Sequence, residues 1–204
     1  MYAEGTQTAQ ALALYLGLVP EGKEQLVADK LREVVAGNNY FLDFGLLGSK
    51  TVPAMLTKYG YIEDVMKMIT KTEAPSWGYW VETMGYSTLP ETWTLSPKFA
   101  DASLNHVFMG DVSAWMMNQL AGINHDDSAP GFRHIRITPH FVKELDWAKG
   151  EYHSVRGRIA SEWKREGDQV MLPVTIPADC SADIVVGDQT ETVSAGTHTF
   201  SYPV

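Results

Sequence analysis

The first part of the chain carries apolar residues at the spacing of three to four that is typical of amphipathic helices. Thr6 is expected to cap the first helix, and Ser49 the third, which places Pro53 in a first turn, where proline is tolerated. We therefore expect helical hairpins joined by short turns. The predicted helices run from Thr6 to just before Pro20 and over 21–35, 49–59, 62–70 and 103–123.

From about residue 125 onward, apolar and polar residues alternate as they do in half-buried strands. Glu166, Gly167 and Asp168 predict a hairpin turn between two of these strands. Short strands separated by Gly and Asp turns favour a small antiparallel β-sandwich. The change of pattern predicts two domains, 1–125 and 126–204. The predicted strands are 133–138, 151–154, 156–163, 169–176, 182–186 and 197–202.

A long aromatic stretch over 74–102 separates the fourth helix from the fifth. Connections of this length inside a compact domain are usually functional. Glu91 lies in it, within the string GYSTLPETW, among aromatic residues that include Trp77, Trp80 and Trp93. A carboxylate among Trp and Tyr side chains is typical of sites that cleave sugars, where aromatic faces hold the ring and the acidic group activates water or protonates a leaving oxygen.

Composition narrows the function classes. A net charge of −9, a pI near 5.1 and scattered Lys and Arg residues argue against a nucleic-acid surface. The single cysteine, Cys180, excludes an intrachain disulfide and is expected to be buried. We expect no membrane span, because no apolar run approaches the ~20 residues that a span needs. The histidines lack metal-ligand spacing, so no metal or cofactor is expected.

Four strings in order resemble the C-terminal half of bacterial α-L-rhamnosidases, glycoside hydrolase family 78. They are PSWGYWV (75–81), GYSTLPETW (85–93), SLNHVFMGDVSAW (103–115) and GFRHIRITPHF (131–141). Together with the segments around them, the likeness covers nearly the whole chain. The fold that the resemblance implies is part of an (α/α)6 helical barrel followed by a small antiparallel β-sandwich.

The resemblance also implies an inverting glycoside hydrolase that uses one carboxylic acid and one carboxylate. The family's general base falls on Glu91, and its asparagine-histidine pair falls on Asn105 and His106, of which the histidine is expected to hydrogen-bond the sugar. Two departures, the second of them in the length of the following segment, bear on the approach to the site and on which sugar is preferred. In the first, Pro90 and Thr92 replace the family's aromatic and basic neighbours of the glutamate. The segment between Trp93 and Ser103 is also short.

The family's general acid lies in the first half of the barrel, and we find no such segment in this sequence. The resemblance therefore implies a C-terminal fragment of a larger enzyme, inactive by itself, whose full-length form releases terminal L-rhamnose from oligosaccharides or glycosides. A periplasmic or secreted location is favoured over the cytoplasm. Half of a helical barrel exposes apolar faces, which a homodimer could cover.

Each assignment has an alternative that the sequence leaves open. Glu91 can be an ordinary loop carboxylate in a salt bridge, and His106 can be a helix-start histidine bound to a backbone carbonyl. Trp77, Trp80 and Trp93 can stack on sugar faces or can be core residues. The whole chain can be a non-catalytic module that binds glycan or serves in assembly.

Overall fold

The computed structural model describes residues 2–93 and 101–203. The chain divides into two compact units, Met1–Ser113 and Ala114–Val204. The first is helical and the second is built mainly of strands. The predicted fold class, helices followed by a β-sandwich, is confirmed.

The helical unit contains four regular helices, and a fifth begins within it. Thr6 caps the first helix as expected, accepting a hydrogen bond from the Ala9 N–H at 3.2 Å. The fourth helix has the predicted bounds. Short helical turns lie at Ala3–Gly5, Tyr79–Thr83 and Val107–Gly110. The helices are α1 (Gln7–Tyr15), α2 (Glu24–Gly37), α3 (Leu46–Lys58), α4 (Ile62–Thr70) and α5 (Asp111–Trp115).

The start of α3 differs from the expectation. The helix begins at Leu46, after an extended Gly45, so Pro53 lies in its interior rather than in its first turn. Ser49 does not cap this helix, because its hydroxyl donates to the carbonyls of Leu46 and Phe108. The second of these bonds ties the helix to the turn that precedes α5.

The core of the helical unit forms where the apolar stripes of α1, α2, α3 and α4 meet. The helices contact one another pairwise in chain order, and α1 also contacts α3. Burying each large apolar side chain contributes about 2 kcal/mol, so this core outweighs the weak helix propensity of short segments. Its fully buried members include Leu31, Val35, Val52, Leu56, Val65 and Met68.

The segment that was predicted as a helix over 103–123 starts later than expected. Regular helical turns begin only at Val107 and continue through α5 and a wider π-type turn over Met116–Leu120. Residues 103–106 instead pair with an earlier stretch of the chain. A contact of this kind is invisible to helical periodicity, which reads only local spacing.

Six strands make up the second unit. The Glu166–Asp168 turn joins β4 to β5 as predicted. The expected strands 169–176 and 182–186 are a single strand, β5, whose pairing is interrupted between Ile176 and Ser181. The strands are β1 (Ile123–His125), β2 (His134–Ile137), β3 (Trp147–Ser154), β4 (Gly157–Glu166), β5 (Gln169–Val186) and β6 (Gln189–Pro203).

The six strands form one continuous hydrogen-bonded sheet that bends back on itself. β5 pairs with β6 on one side, while its other side pairs first with β4 and then with β2. β1, at one end of the sheet, contacts β3 and β4, which are not its neighbours in the sheet. The two halves therefore face each other, as in a sandwich. The pairing is mostly antiparallel, with β2 and β5 parallel.

Alternating residues of the strands fill the space between the two halves. Trp163 is completely buried, and its indole N–H donates to the Leu120 carbonyl at 2.7 Å. Cys180 is buried, as expected. The other large members of this core include Ile135, Ile137, Ile159, Val170, Leu172, Val174 and Ile184.

Candidate active site

Two short stretches, 88–91 and 103–106, run side by side and carry the three predicted polar site residues, Glu91, Asn105 and His106. We call them the paired segments. The Glu91 N–H donates to the Ser103 carbonyl at 2.8 Å, and the His106 N–H donates to the Leu89 carbonyl at 2.8 Å. These backbone hydrogen bonds bring the segments of Glu91 and His106 together, although the two residues are 15 positions apart in sequence.

Glu91 lies half-buried in the first of the paired segments. Its Oε2 accepts a hydrogen bond from the Ser103 N–H at 3.0 Å. Its Oε1 has no hydrogen-bond donor, and the carboxylate no ion-pair partner, among the residues that the structure describes. The salt-bridge alternative for Glu91 is therefore not observed there. The Ser103 N–H therefore holds one oxygen of the Glu91 carboxylate in place.

His106 lies at the end of the second segment, immediately before the helical turn at Val107. Its ring is 5.5 Å from the Phe108 ring, centroid to centroid. The Nδ1 atom is buried and has no hydrogen-bond partner in the described part of the chain. The alternative in which a backbone carbonyl satisfies this histidine is therefore not observed for Nδ1. A buried ring nitrogen without a hydrogen-bond partner is costly.

Asn105, the predicted partner of His106, is exposed on the same segment. Its backbone N–H donates to the Ser103 hydroxyl at 3.2 Å. The structure shows no hydrogen bond of the Asn105 side-chain amide with another described residue. Ser103 therefore serves both site positions: its N–H holds Glu91 and its hydroxyl receives Asn105.

The three tryptophans form one cluster with Phe44. Trp93 stacks on Trp80 with ring centroids 4.4 Å apart and meets Trp77 edge-on at 5.3 Å. Trp77 and Trp80 are 4% and 1% exposed, so their burial favours the core-packing alternative over direct stacking on a sugar. Trp93 is half-buried and retains some accessible surface.

A cavity of about 290 Å³ lies beside the paired segments. Hydroxyl-bearing and apolar groups share its wall, which is a combination suited to a sugar ring. Its lining residues are Gly85, Tyr86, Ser87, Thr88, Pro90 and Leu104. Pro90, which with Thr92 replaces the family's neighbours of the glutamate, is buried in this wall. Residues 94–100, which make up most of the short segment after Trp93, lie outside the described residues.

Sequence reasoning missed Thr88 and Ser103, which hold the paired segments together. The Thr88 hydroxyl donates to the Leu104 carbonyl at 2.7 Å. Neither residue belongs to a type or spacing that indicates chemistry, so the only available signal was their presence in the two strings on which the resemblance rests.

The best-connected charged group of the helical unit is not part of this candidate site. Asp64 of α4 is 4% exposed and contacts Arg32 Nε at 2.7 Å and Lys67 Nζ at 2.9 Å. Burial alone raises the pKa of Asp64, but the hydrogen bonds from Arg32 and Lys67 hold that pKa below its usual value. Because both oxygens of the Asp64 carboxylate are ion-paired, we interpret this carboxylate as a structural link between α2 and α4.

The described residues contain no group of three His, Cys, Asp or Glu side chains that could hold a metal ion. Within the same residues, none of the helices has the length and apolar content that crossing a bilayer requires.

Comparison with known families covers nearly the whole chain. The family model described as the bacterial alpha-L-rhamnosidase 6 hairpin glycosidase domain matches residues 1–120. The model of the bacterial alpha-L-rhamnosidase C-terminal domain matches residues 122–201.

Individual relatives agree. An alpha-L-rhamnosidase of Streptomyces avermitilis is 27% identical over 185 residues, which are 88% of this chain and 18% of that protein. One from Alteromonas sp. is 29% identical over 187 residues, 88% of this chain and 20% of that protein. The chain thus spans about a fifth of the length of these curated relatives.

Solved structures give the same result. The alpha-L-rhamnosidase of Aspergillus terreus superposes with a TM-score of 0.90 at 28% identity, over 97% of this chain and 24% of that one. The enzyme of Dictyoglomus thermophilum superposes with a TM-score of 0.87 at 28% identity, over 98% of this chain and 25% of that one.

Proposed function

Because the chain belongs to the bacterial α-L-rhamnosidase family, we propose that it supplies the general-base half of an inverting active site. Glu91 is the base in this proposal. His106 binds the sugar at the point of cleavage, and Asn105 and Trp93 contact it beside His106. The substrate is a terminal L-rhamnose of an oligosaccharide or glycoside, and the full activity belongs to a longer protein that contains this chain.

The observation that carries the proposal is the arrangement of Glu91 and His106 on the paired segments. Glu91 has one oxygen fixed by the Ser103 N–H and the other without a donor among the described residues. A general base needs this combination, since it must be oriented and must still reach a water. His106 lies on the neighbouring segment, and its buried Nδ1 has no hydrogen-bond partner among the described residues.

The chemistry follows from the requirements of inversion. The two carboxyl groups of an inverting glycosidase stand about 6.5–9.5 Å apart, which leaves room for a water between the base and the anomeric carbon. Oε1 of Glu91 takes the proton of that water as its oxygen attacks. A carboxylic acid from another part of the longer protein protonates the departing oxygen on the opposite face.

Glu91→Gln in the longer protein tests this proposal. The amide keeps the size of the side chain and its contact with the Ser103 N–H but cannot accept the proton of water. We expect hydrolysis of an aryl α-L-rhamnoside to fall about a thousandfold or more. Glu82→Gln, at an exposed position in the Tyr79–Thr83 turn, is the matched control and should keep the parent rate. Equal activity in the two variants would remove Glu91 from the mechanism.

In this proposal, the carboxylic acid that protonates the leaving group lies outside the 204-residue chain. We therefore expect the purified 204-residue chain to show no rhamnoside hydrolysis. Turnover of the aryl rhamnoside by this chain alone would place both catalytic groups within it and would contradict the division of the site.

A second candidate function is assembly, which the surface of the helical unit favours. Several of its large apolar side chains are more than half exposed, as in a surface that another helical face covers. We propose a homodimer of the chain through these positions, measured as a molecular mass of twice 22.6 kDa by sedimentation. A monomer at micromolar concentration would exclude it. The side chains are Leu16, Leu18, Leu26, Leu47, Val81, Leu104, Val107 and Phe108.

A further inference from the structure

The hydrogen bonds between the paired segments are of two kinds. Two connect backbone to backbone, at Glu91–Ser103 and His106–Leu89. Among the described residues, two more use side chains: Glu91 itself, which receives the Ser103 N–H, and Thr88, which donates to the Leu104 carbonyl. Thr88 is therefore the side chain, apart from the proposed base, on which the pairing depends.

The position of Thr88 gives its hydrogen bond a specific effect. Thr88 lies three residues before Glu91, and its acceptor Leu104 lies two residues before His106. Together with the two backbone hydrogen bonds, the bond of 2.7 Å limits how far the second segment can slide along the first. Such a slide changes the separation between the Glu91 carboxylate and the His106 ring without breaking any contact of the core.

Thr88 is exposed, so its removal leaves no cavity and no buried group without a partner. Its side chain also touches neither Glu91 nor His106 in any hydrogen bond that the structure shows. Thr88 also lines the cavity beside the paired segments. A loss of activity on changing Thr88 therefore acts through geometry if kcat falls while KM is unchanged, whereas a raised KM would mean that Thr88 contacts the sugar. Misplacement of about 1 Å can cost a hundredfold in rate when reacting groups must be aligned.

We infer that Thr88 is a positioning residue: by holding the Leu104 carbonyl, it sets the distance between the proposed base Glu91 and the proposed sugar ligand His106. This inference rests on the proposed function. Thr88 contacts no reacting atom in it and acts only through the second of the paired segments.

The experiment compares Thr88→Val with Thr88→Ser in the longer protein on an aryl α-L-rhamnoside. Valine has the shape of threonine but no donor, so we expect kcat to fall about tenfold with KM changed less than twofold. Serine keeps the hydroxyl and should restore most of kcat. Thr83→Val is the matched control, because the Thr83 hydroxyl is also exposed and donates to a backbone carbonyl, that of Thr72, at 2.7 Å. It should keep the parent kcat.

Each outcome decides the matter. A kcat of Thr88→Val equal to that of Thr83→Val would overturn the inference, and so would a serine variant as slow as the valine variant. A drop in the unfolding temperature confined to Thr88→Val would assign the residue to stability instead. Glu91→Gln, measured in parallel, separates the two proposals. If Glu91→Gln is fully active, the proposed function fails, and if it is inactive while Thr88→Val is not impaired, only the role of Thr88 fails.

Discussion

The indole N–H of Trp93 donates a hydrogen bond to the backbone carbonyl of Phe44, which joins the end of the GYSTLPETW string to the chain just before α3. Trp93 lies two residues after Glu91, and its ring stacks on the buried Trp80. The ring that was expected to hold a sugar thus also anchors the loop of the proposed base to the core. Trp93 is half-buried, and we regard anchoring as its main contribution to the helical unit.

Replacing Trp93 separates the hydrogen bond from the stacking. Trp93→Phe keeps an aromatic ring against Trp80 but loses the donor to Phe44, so we expect the free energy of unfolding to fall by about 1 kcal/mol. Trp93→Ala loses both and should cost about 3 kcal/mol. Urea unfolding of the chain, followed by tryptophan fluorescence, measures the difference. Trp147→Phe, at a position 60% exposed in β3, is the control and should change stability little. Equal stability of Trp93→Ala and the parent chain would rule out the anchor.

The ionised carboxylate of Asp64 makes the stability of the helical unit depend on pH. Its pKa is lowered in the folded state by Arg32 and Lys67 despite burial, so the unfolded chain binds the proton more readily. The stabilisation is complete above the unfolded pKa, near 3.8, and is lost as the pH falls through and below that value. We expect Asp64→Asn to cost about 2 kcal/mol at pH 7, and the gap to the parent chain to narrow as the pH approaches 3.

Unfolding free energies at pH 7, 5, 4 and 3 measure this gap. Glu21→Gln is the control, because Glu21 lies in an exposed turn and takes part in no described ion pair. A gap between Asp64→Asn and the parent chain that stays constant from pH 7 to 3 would show that the charge of Asp64 does not contribute.

The helices could be predicted because their information is local. The apolar stripe of α4 gave its bounds, and Thr6 marked the start of α1. Ser49 was misleading because a serine near a helix start has two uses. Its hydroxyl can cap the helix, or it can bind carbonyls as it does with Leu46 and Phe108. Only the tertiary position of Phe108 decides between them.

The candidate site depends on contacts that local patterns do not contain. Nothing in the spacing of 103–106 indicates that this stretch pairs with 88–91 rather than continuing a helix. In the same way, alternation found both halves of β5 but not their continuity, because the interruption between Ile176 and Ser181 resembles a turn. Trp77 and Trp80 show a further limit of sequence patterns. The sequence does not tell whether an aromatic ring near a carboxylate is buried in the core or exposed to a ligand.

The lowered pKa of Glu151, in β3, can be observed directly in a titration. Arg158, on the neighbouring strand, contacts its Oε2 at 2.7 Å, and His153 contacts its Oε1 at 2.8 Å. The hydrogen bond from Arg158 is the main cause that lowers the pKa of Glu151 to about 2. We expect Arg158→Gln to raise that pKa toward the usual value of a glutamate. Side-chain NMR of the carboxyl carbon against pH measures it.

The neighbouring lysine offers a control for this titration. Lys149→Gln removes a charge from the same strand, but Lys149 pairs with Glu162 at 3.7 Å and not with Glu151. The pKa of Glu151 should therefore hardly change in this variant. If Arg158→Gln and Lys149→Gln shift the Glu151 titration equally, the effect is one of net charge rather than of the specific contact.

Ser161 of β4 is a buried polar residue that the β-unit would tolerate losing. Its side chain is completely buried, and its Oγ has no hydrogen-bond partner among the described residues. Burying a hydroxyl without a partner costs about 1–3 kcal/mol, whereas alanine leaves only a small void. We expect Ser161→Ala to be as stable as the parent chain or more stable by up to about 1 kcal/mol.

Ser181→Ala is the matched control in β5: it loses the 2.7 Å contact with His134 Nδ1 and should be destabilised by about 1 kcal/mol. Urea unfolding followed by circular dichroism measures both, and a Ser161→Ala variant less stable than Ser181→Ala would mean that the Ser161 hydroxyl has a partner after all.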